Sequence, residues 1–373
     1  MKVRAQLTGT GLWHPEPVVS NAELVVAQSA SAAAWNAEHK DAIESGDLIE
    51  RDPSTERFIV KASGIQSRYV IEKEGVLDPE RLRPHLPIRT EDELSIQAEI
   101  AVAAGRQALE KAGREPAEVD AVLVACSNLQ RAYPAVAIEV QNALGAGGWA
   151  YDLNVACSSA TFGIQAAVAA VAMEDARCAL VINPELTSGH NNFAMREYHF
   201  IFGDACTAAV IEPPDAVRED SFEILGTQLQ TRFSNNIRND FGFLNVAEDG
   251  ERPDEELVFR QNGRKVFREV CPMVAKHITG HLAAEGLTSA EVKRLWLHQA
   301  NLAMNELIAR TVLGREPLPE ESPVILDEFA NTSSAGSLIA FHRHHDDLVA
   351  GDLGVLCSFG AGYSIGSVLL RRP

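Results

Sequence analysis

Apolar positions along this chain follow two periods. Short runs of branched apolar residues mark strands at residues 3 to 9, about 119 to 126 (VDAVLVAC), and near 150 to 155, 177 to 183 and 205 to 211. A helical spacing covers about 92 to 113. The second half runs strand, charged loop, long helix (about 262 to 286), strand (294 to 298) and helices at 302 to 313 and 334 to 349. It closes with two strands, DLGVLCSF and YSIGSVLLRR. This alternation predicts an α/β protein. Residues 26 to 56, polar, alanine-rich and partly helical, and 72 to 95, rich in charge and proline, read as surface insertions. In EPPDAVRED, 212 to 220, two prolines end a strand pattern, which divides the chain into halves of 1 to 215 and 216 to 373.

The halves repeat each other. LEKAGREPAEVDAVLVACSNL at 109 aligns without a gap to LAAEGLTSAEVKRLWLHQANL at 282, an offset of 173 (282 − 109). A second pair, CSSA at 157 and TSSA at 332, opens an apolar helix in each half. A duplicated α/β unit sets equivalent loops face to face across a pseudo-dyad. It therefore brings the Cys157, His298 and Asn331 regions within reach of one site.

Length and charge narrow the function. The 373 residues exceed what one core usually organises. The net charge of −19 argues against general binding to nucleic acid or anionic membranes, so an acidic partner needs a local basic patch. None of the six cysteines forms a C-x-x-C pair, which fits reduced thiols in a cytoplasm. The N-terminus lacks a signal-peptide core, and no apolar run reaches the length of a membrane span.

Four pieces carry candidate chemistry. Cys157 precedes an alanine-rich helix, where free N–H groups and the helix dipole favour a thiolate; the alternative is a small buried core residue. His298 ends a buried strand, as a functional ligand or a core histidine. Asn331 precedes a helix, as a substrate donor or an N-cap. The glycine-rich segment Gly360, Ala361 and Gly362 allows close backbone approach or simply a hairpin turn. Together they outline covalent acyl transfer, with backbone N–H groups at Cys157 and 360 to 362 for a thioester oxyanion. HRHHDD, 342 to 347, lies on the last predicted helix with its histidines on different faces, and reads as a solvated charged face rather than a metal site.

DLNVACSSATFG, IFGDACTAAVIE, HQANL, NTSSAGS and FGAGYSIGS, in that order, resemble the β-ketoacyl-acyl-carrier-protein synthase III family from about residue 55 onward. The resemblance implies a thiolase-like fold, two pseudo-symmetric α/β halves in a five-layered αβαβα arrangement, usually a homodimer. It implies a triad of Cys157, His298 and Asn331, with acyl-CoA and malonyl-acyl carrier protein as substrates and no cofactor or metal. Tyr133, in RAYPAVAIEVQ, matches an aromatic residue that crosses the dimer interface and helps end the acyl pocket. Two departures stand out. RFIVKASGI places Phe58 and Ala62 where the family commonly has a CoA-gripping Trp and Arg, which leaves Lys61 or the 26–56 insertion to contribute. Ala303 stands where the family often has a carrier-docking arginine, so Arg264, Lys265, Arg268 and Arg310 are the expected replacements. The extra length and the KASGI variant resemble a longer branch using medium-chain primers such as octanoyl-CoA. Rival readings are a thiolase using Cys357 as a second cysteine, acyl transfer to another acceptor, head-to-head acyl condensation, or a non-catalytic acyl-binding subunit.

Overall fold

A computed structural model describes residues 5–214 and 220–373. The expected boundary at 215/216 falls outside the described residues. Nine strands form one hydrogen-bonded sheet: β1 (Ala5–Trp13), β2 (Ala121–Ala125), β3 (Trp149–Leu153), β4 (Ala179–Glu185), β5 (Ala205–Glu212), β6 (Phe222–Ser234), β7 (Val292–Leu297), β8 (Leu353–Gly360) and β9 (Gly362–Arg371). Their order is β7-β8-β9-β6-β1-β5-β4-β2-β3. Three residue pairs, Ala5 to Leu7 against Phe222 to Ile224, join the two halves antiparallel. Within each half, parallel pairs (β4/β2/β3 and β7/β8) sit beyond antiparallel ones.

The helices sort into three layers. α1 (Asn21–Glu38) and α2 (Glu56–Ser63) belong to the N-terminal insertion. α3 (Ile96–Ala112) and α4 (Val136–Leu144) cover the outer face of the first half-sheet through Ile100, Val122, Val140 and Leu180. α5 (Ser159–Ala172) and α8 (Ala335–Arg343) lie between the half-sheets, packing Ile164 and Leu338 among Val181, Ile211, Leu356 and Val368. α6 (Gly263–Ala284) and α7 (Leu302–Leu313) cover the outer face of the second half through Val270, Ile278, Ile308 and Leu297. The expected αβαβα stacking follows.

The middle layer needs small residues. A Cβ on Gly163 of α5 would lie 2.8 Å from Val181 Cγ1 and 2.9 Å from Ala125 Cβ. On the opposite side, a Cβ on Gly366 of β9 would lie 2.8 Å from Thr161 Cβ. Side chains at either position would push a half-sheet off the helix. The repeat is visible as paired 3₁₀ turns, Pro116–Glu118 and Ser289–Glu291, which precede β2 and β7 at the same offset of 173 (289 − 116).

The 26–56 insertion is partly helical, as expected, and Ser20 and Glu23 form a reciprocal cap that starts α1 at Asn21. Two expectations are corrected. α8 stops at Arg343 rather than continuing to 349. The buried Arg294 donates to the His344 carbonyl at 2.7 Å and to both Asp347 carboxylate oxygens, while Trp296 Nε1 donates to the same carbonyl at 2.9 Å. These contacts from β7 draw the chain out of the helix. HRHHDD is therefore not a solvated helix face: His342 bonds Thr10 Oγ1 at 2.8 Å, and His345 is buried and stacked on Phe341. Among the described residues no His, Cys, Asp and Glu side chains group as metal ligands, and no helix is long and apolar enough to cross a membrane.

Candidate active site

The two loops that meet between the half-sheets share one local design. Asn154 Oδ1 accepts from the Ala156 N–H at 2.9 Å, and Ala156 takes φ 47°. Asn331 Oδ1 accepts from the Ser333 N–H at 2.9 Å, and Ser333 takes φ 48°. Both steps are separated by 177 residues (331 − 154 and 333 − 156). Each loop holds a non-glycine residue in the left-handed region, at a cost of about 1–2 kcal/mol. The Asn side-chain hydrogen bond offsets part of that cost. In the first loop the strained residue delivers Cys157 to the start of α5. In the second, Ser333 itself meets Cys157: its hydroxyl donates to Cys157 Sγ at 3.4 Å. A backbone N–H can be accepted only by the oxygen of Asn331, which leaves Nδ2 as its available donor.

Cross-half backbone bonds fix these loops. Asn331 N–H donates to the Ile201 carbonyl at 3.0 Å, and Gly203 N–H donates to the Asn331 carbonyl at 3.2 Å. This explains the chemistry-free IFGDACTAAVIE block: its first residues clamp Asn331. The His298 N–H donates to the Cys357 carbonyl at 2.8 Å, and the imidazole stands edge-on to Phe359 at 5.2 Å. In HQANL, Gln299 anchors the 323–325 turn, and Asn301 caps α7 while donating to the Ala62 carbonyl at 2.6 Å. That last bond ties the second half to α2 at the cavity mouth.

Cys157, His298, Asn331 and Gly360 line one cavity of about 710 Å³. Its remaining wall is mostly apolar, including Phe58, Phe200, Phe202, Phe259, Val266 and Phe267. Gly360 must be glycine, because a Cβ there would sit 2.6 Å from Cys157 Cβ and 3.2 Å from its sulfur. Ser364, bonded to the Ala361 carbonyl and Ser158 Oγ at 2.9 Å each, holds this hairpin against the Cys157 loop. The backbone N–H groups of Cys157 and Ala361 lie near enough to the sulfur to favour its charged form. Ala361 and Gly362, unlike Gly360, line a separate groove with Asn154 and Phe233.

Burial dominates the electrostatics. It pushes the Cys157 thiol up to about 11 and the nearby Glu185 carboxylate adds to the rise, while the Ser333 hydroxyl and the two N–H groups oppose it. Cys157 thus rests as a thiol, against the thiolate expected from helix position alone. Burial likewise pushes His298 down to about 4, although the adjacent Ser333 backbone favours the charged ring. At neutral pH His298 is an uncharged imidazole with one N–H to give and one lone pair. Cys357 is fully buried on β8 among Leu297 and Val355, outside the cavity, and burial raises its thiol strongly. It is not placed to act as a second catalytic cysteine.

The other expected residues divide. Phe58 and Arg264 line the cavity; the Arg196 guanidinium lies 4.2 Å above the Phe58 ring. Lys61 is exposed on α2, one residue from cavity-lining Ala62. Lys265 and Arg268 are exposed on the first turns of α6 beside Arg264, and none of the three makes an ion pair among the described residues. Arg310 is already paired with Glu316 at 3.0 Å. Tyr133 is 85% exposed and lies outside this chain's cavity. Ser333 and Glu185 were not expected from sequence; TSSA pointed to the loop but not to which serine touches the sulfur.

Comparison with known proteins places this geometry in a family. Residues 151–232 match the model of 3-oxoacyl-[acyl-carrier-protein (ACP)] synthase III, and residues 282–372 match that of its C-terminal region. A β-ketodecanoyl-[acyl-carrier-protein] synthase of Pseudomonas aeruginosa is 60% identical over 91% of this chain and 97% of its own length. A β-ketoacyl-[acyl-carrier-protein] synthase III of Bordetella petrii is 31% identical over 98% of both chains. The crystal structure of a 3-oxoacyl-[acyl-carrier-protein] synthase III from Aquifex aeolicus superposes with a TM-score of 0.75 at 23% identity, covering 98% of this chain and 99% of that one; it shares the fold.

Proposed function

Since the chain belongs to the β-ketoacyl-acyl-carrier-protein synthase III family, and so is a condensing acyltransferase, we propose that it joins a medium-chain acyl-CoA primer to malonyl-acyl carrier protein. The observation that carries this reading is the convergence of Cys157, His298 and Asn331 on one mostly apolar cavity. A 3-oxodecanoyl product, as in the name of the Pseudomonas relative, takes two carbons from malonate and eight from the primer, so octanoyl-CoA is the expected donor.

The reaction runs in two stages. Cys157 sulfur bonds to the acyl carbonyl carbon, the thioester C–S bond breaks, and the thiol proton leaves with CoA. The oxyanion formed on the way sits at the N–H groups of Cys157 and Ala361. Malonyl-acyl carrier protein then loses CO₂, and the bonding pair becomes an enolate. The His298 N–H and Asn331 Nδ2 donate to the enolate oxygen; both groups are neutral, so neither must lose a proton to act. The enolate carbon attacks the acyl carbon on Cys157, the C–S bond breaks, and the sulfur regains a proton. No cofactor or metal enters these steps.

The docking side of the reading rests on Arg264, Lys265 and Arg268. Cations at a helix N-terminus oppose the dipole, which makes them poor stabilisers and good ligands for an acidic carrier. Phe58 and Lys61 flank the same mouth for CoA. The exposed Tyr133 fits a role in the acyl pocket of a second copy of the chain, in a homodimer.

Mass spectrometry tests the proposal. Incubation with octanoyl-CoA should place an acyl group on Cys157, and malonyl-acyl carrier protein should then release it as a 3-oxodecanoyl thioester. Absence of any adduct on Cys157 across primer lengths rules the reading out.

A further inference from the structure

The buried carboxylate of Glu185, at the end of β4, bonds the Asn331 loop at Ser334 and reaches the Cys157 loop through Ser127. It is 1% exposed and has no cationic partner among the described residues. Its Oε1 accepts from the Ser127 N–H at 3.0 Å, from the Ser334 N–H at 3.2 Å and from the Ser334 hydroxyl. Its Oε2 accepts from the Ser127 hydroxyl at 2.5 Å. From Ser127 a chain of bonds reaches the nucleophile. The Ser127 carbonyl accepts from Asn154 Nδ2 at 2.8 Å, and Asn154 Oδ1 holds the strained Ala156 that precedes Cys157. On the other side, Ser334 follows Ser333 and lies three residues from Asn331 at the start of α8.

We propose that Glu185 is a positioning residue, one that sets Cys157 and Asn331 relative to each other by tethering both loops. An ordinary core would fill this place with an apolar side chain, because a buried charge is strongly disfavoured until it is hydrogen-bonded. Four donors drawn from both halves offset that cost only while the loops hold their present spacing. The charge has a second effect, since it disfavours the thiolate of Cys157. The ionisable groups around Glu185 are the thiols of Cys126, Cys157 and Cys206, with Asp152 acting on Cys126; His298 faces Cys157 as a neutral ring.

The proposal rests on Cys157 being the nucleophile, and the test separates the two. Glu185→Gln keeps the shape: the amide oxygen can take three donors while its NH₂ faces a turned Ser127 hydroxyl. Glu185→Ala cuts both tethers. Turnover is measured with octanoyl-CoA and malonyl-acyl carrier protein, and Cys157 is alkylated with iodoacetamide across pH and followed by peptide mass. Glu185→Ala should lower kcat more than about tenfold with KM for acyl-CoA unchanged, and Glu185→Gln should restore it to within about threefold. Below the thiol's pKa, Glu185→Gln should be alkylated about three- to tenfold faster than the natural protein. Should Glu185→Ala not fold, the Ser127→Ala/Ser334→Ala pair cuts the same tethers and should show the same loss of kcat. Natural turnover in the tether-cutting variant, or an unshifted alkylation profile in Glu185→Gln, overturns the proposal. Failure of the natural protein to form an acyl-Cys157 adduct would instead count against the condensation reading, and the alkylation profile reports on Glu185 regardless.

Discussion

The Ser333 hydroxyl donates to Cys157 Sγ across 3.4 Å, joining the second half of the repeat directly to the cysteine loop of the first. This bond is one of few influences that favour the thiolate against burial. Ser333→Ala should therefore raise the thiol further. A lost hydrogen bond of about 1 kcal/mol corresponds to roughly fivefold less thiolate at a given pH. Stopped-flow acylation by octanoyl-CoA should slow by that factor, with the folded state unchanged by circular dichroism.

In the proposed reaction His298 and Asn331 act at the enolate rather than at the acyl transfer. His298→Ala and Asn331→Ala should each lower condensation by about 10²–10³. Acylation of Cys157 should persist in both, so a stable acyl-enzyme should accumulate on intact-mass spectra. Equal loss of acylation would place these residues in the first stage instead.

Gly360→Ala puts a methyl group 2.6 Å from Cys157 Cβ. The hairpin and the Cys157 loop must separate, which carries the Ala361 N–H away from the sulfur. The expected cost is about 1–3 kcal/mol of stability, as for other overpacked cores. Acylation should fall by at least tenfold, measured by the same mass assay.

Charge reversal on α6 should separate the two substrates. Arg264→Glu/Arg268→Glu should raise KM for malonyl-acyl carrier protein about tenfold or more, with the greatest effect at low salt. Arg310→Glu should do less, because Glu316 already neutralises that side chain. Single-turnover acylation of Cys157 by octanoyl-CoA should be less affected than the carrier-protein KM.

Acid should destabilise the fold through its buried histidines. His199, His281 and His298 are all almost fully buried, and burial pushes each from 6.5 down to about 4. The unfolded chain then binds more protons between those two values. Stability is complete above pH 6.5 and is lost as pH falls toward 4, at about 1.4 kcal/mol per pH unit for each fully titrating site. Thermal melts should show a midpoint falling steeply over that window and flat from pH 7 to 8.

Cys157 and His298 were legible because each sits where a strand gives way to a helix, and Asn331 because it precedes one. The five-layer stacking came through the family resemblance, with the repeat supporting two matching halves. What sequence did not carry was pairing at long range. Glu185 looks like any strand-end residue until Ser334, 149 residues away, is seen bonded to it. The overlong helix at 334–349 fails for the same reason: His344 and Asp347 leave it because Arg294 and Trp296 on another strand take their oxygen atoms. The thiolate expected at Cys157 fails differently. Helix position does favour it, but desolvation in the cavity wall is the larger effect.

A thiol held near 11 has a consequence for the idle enzyme. At pH 7 only a fraction on the order of 10⁻⁴ of Cys157 is ionised. Peroxide and most soluble electrophiles react with the ionised form. The resting thiol of Cys157 is thereby shielded from reagents that need the ionised form. An inhibitor aimed at Cys157 must first fill the cavity and mimic the acyl donor; intrinsic reactivity alone will not select this cysteine.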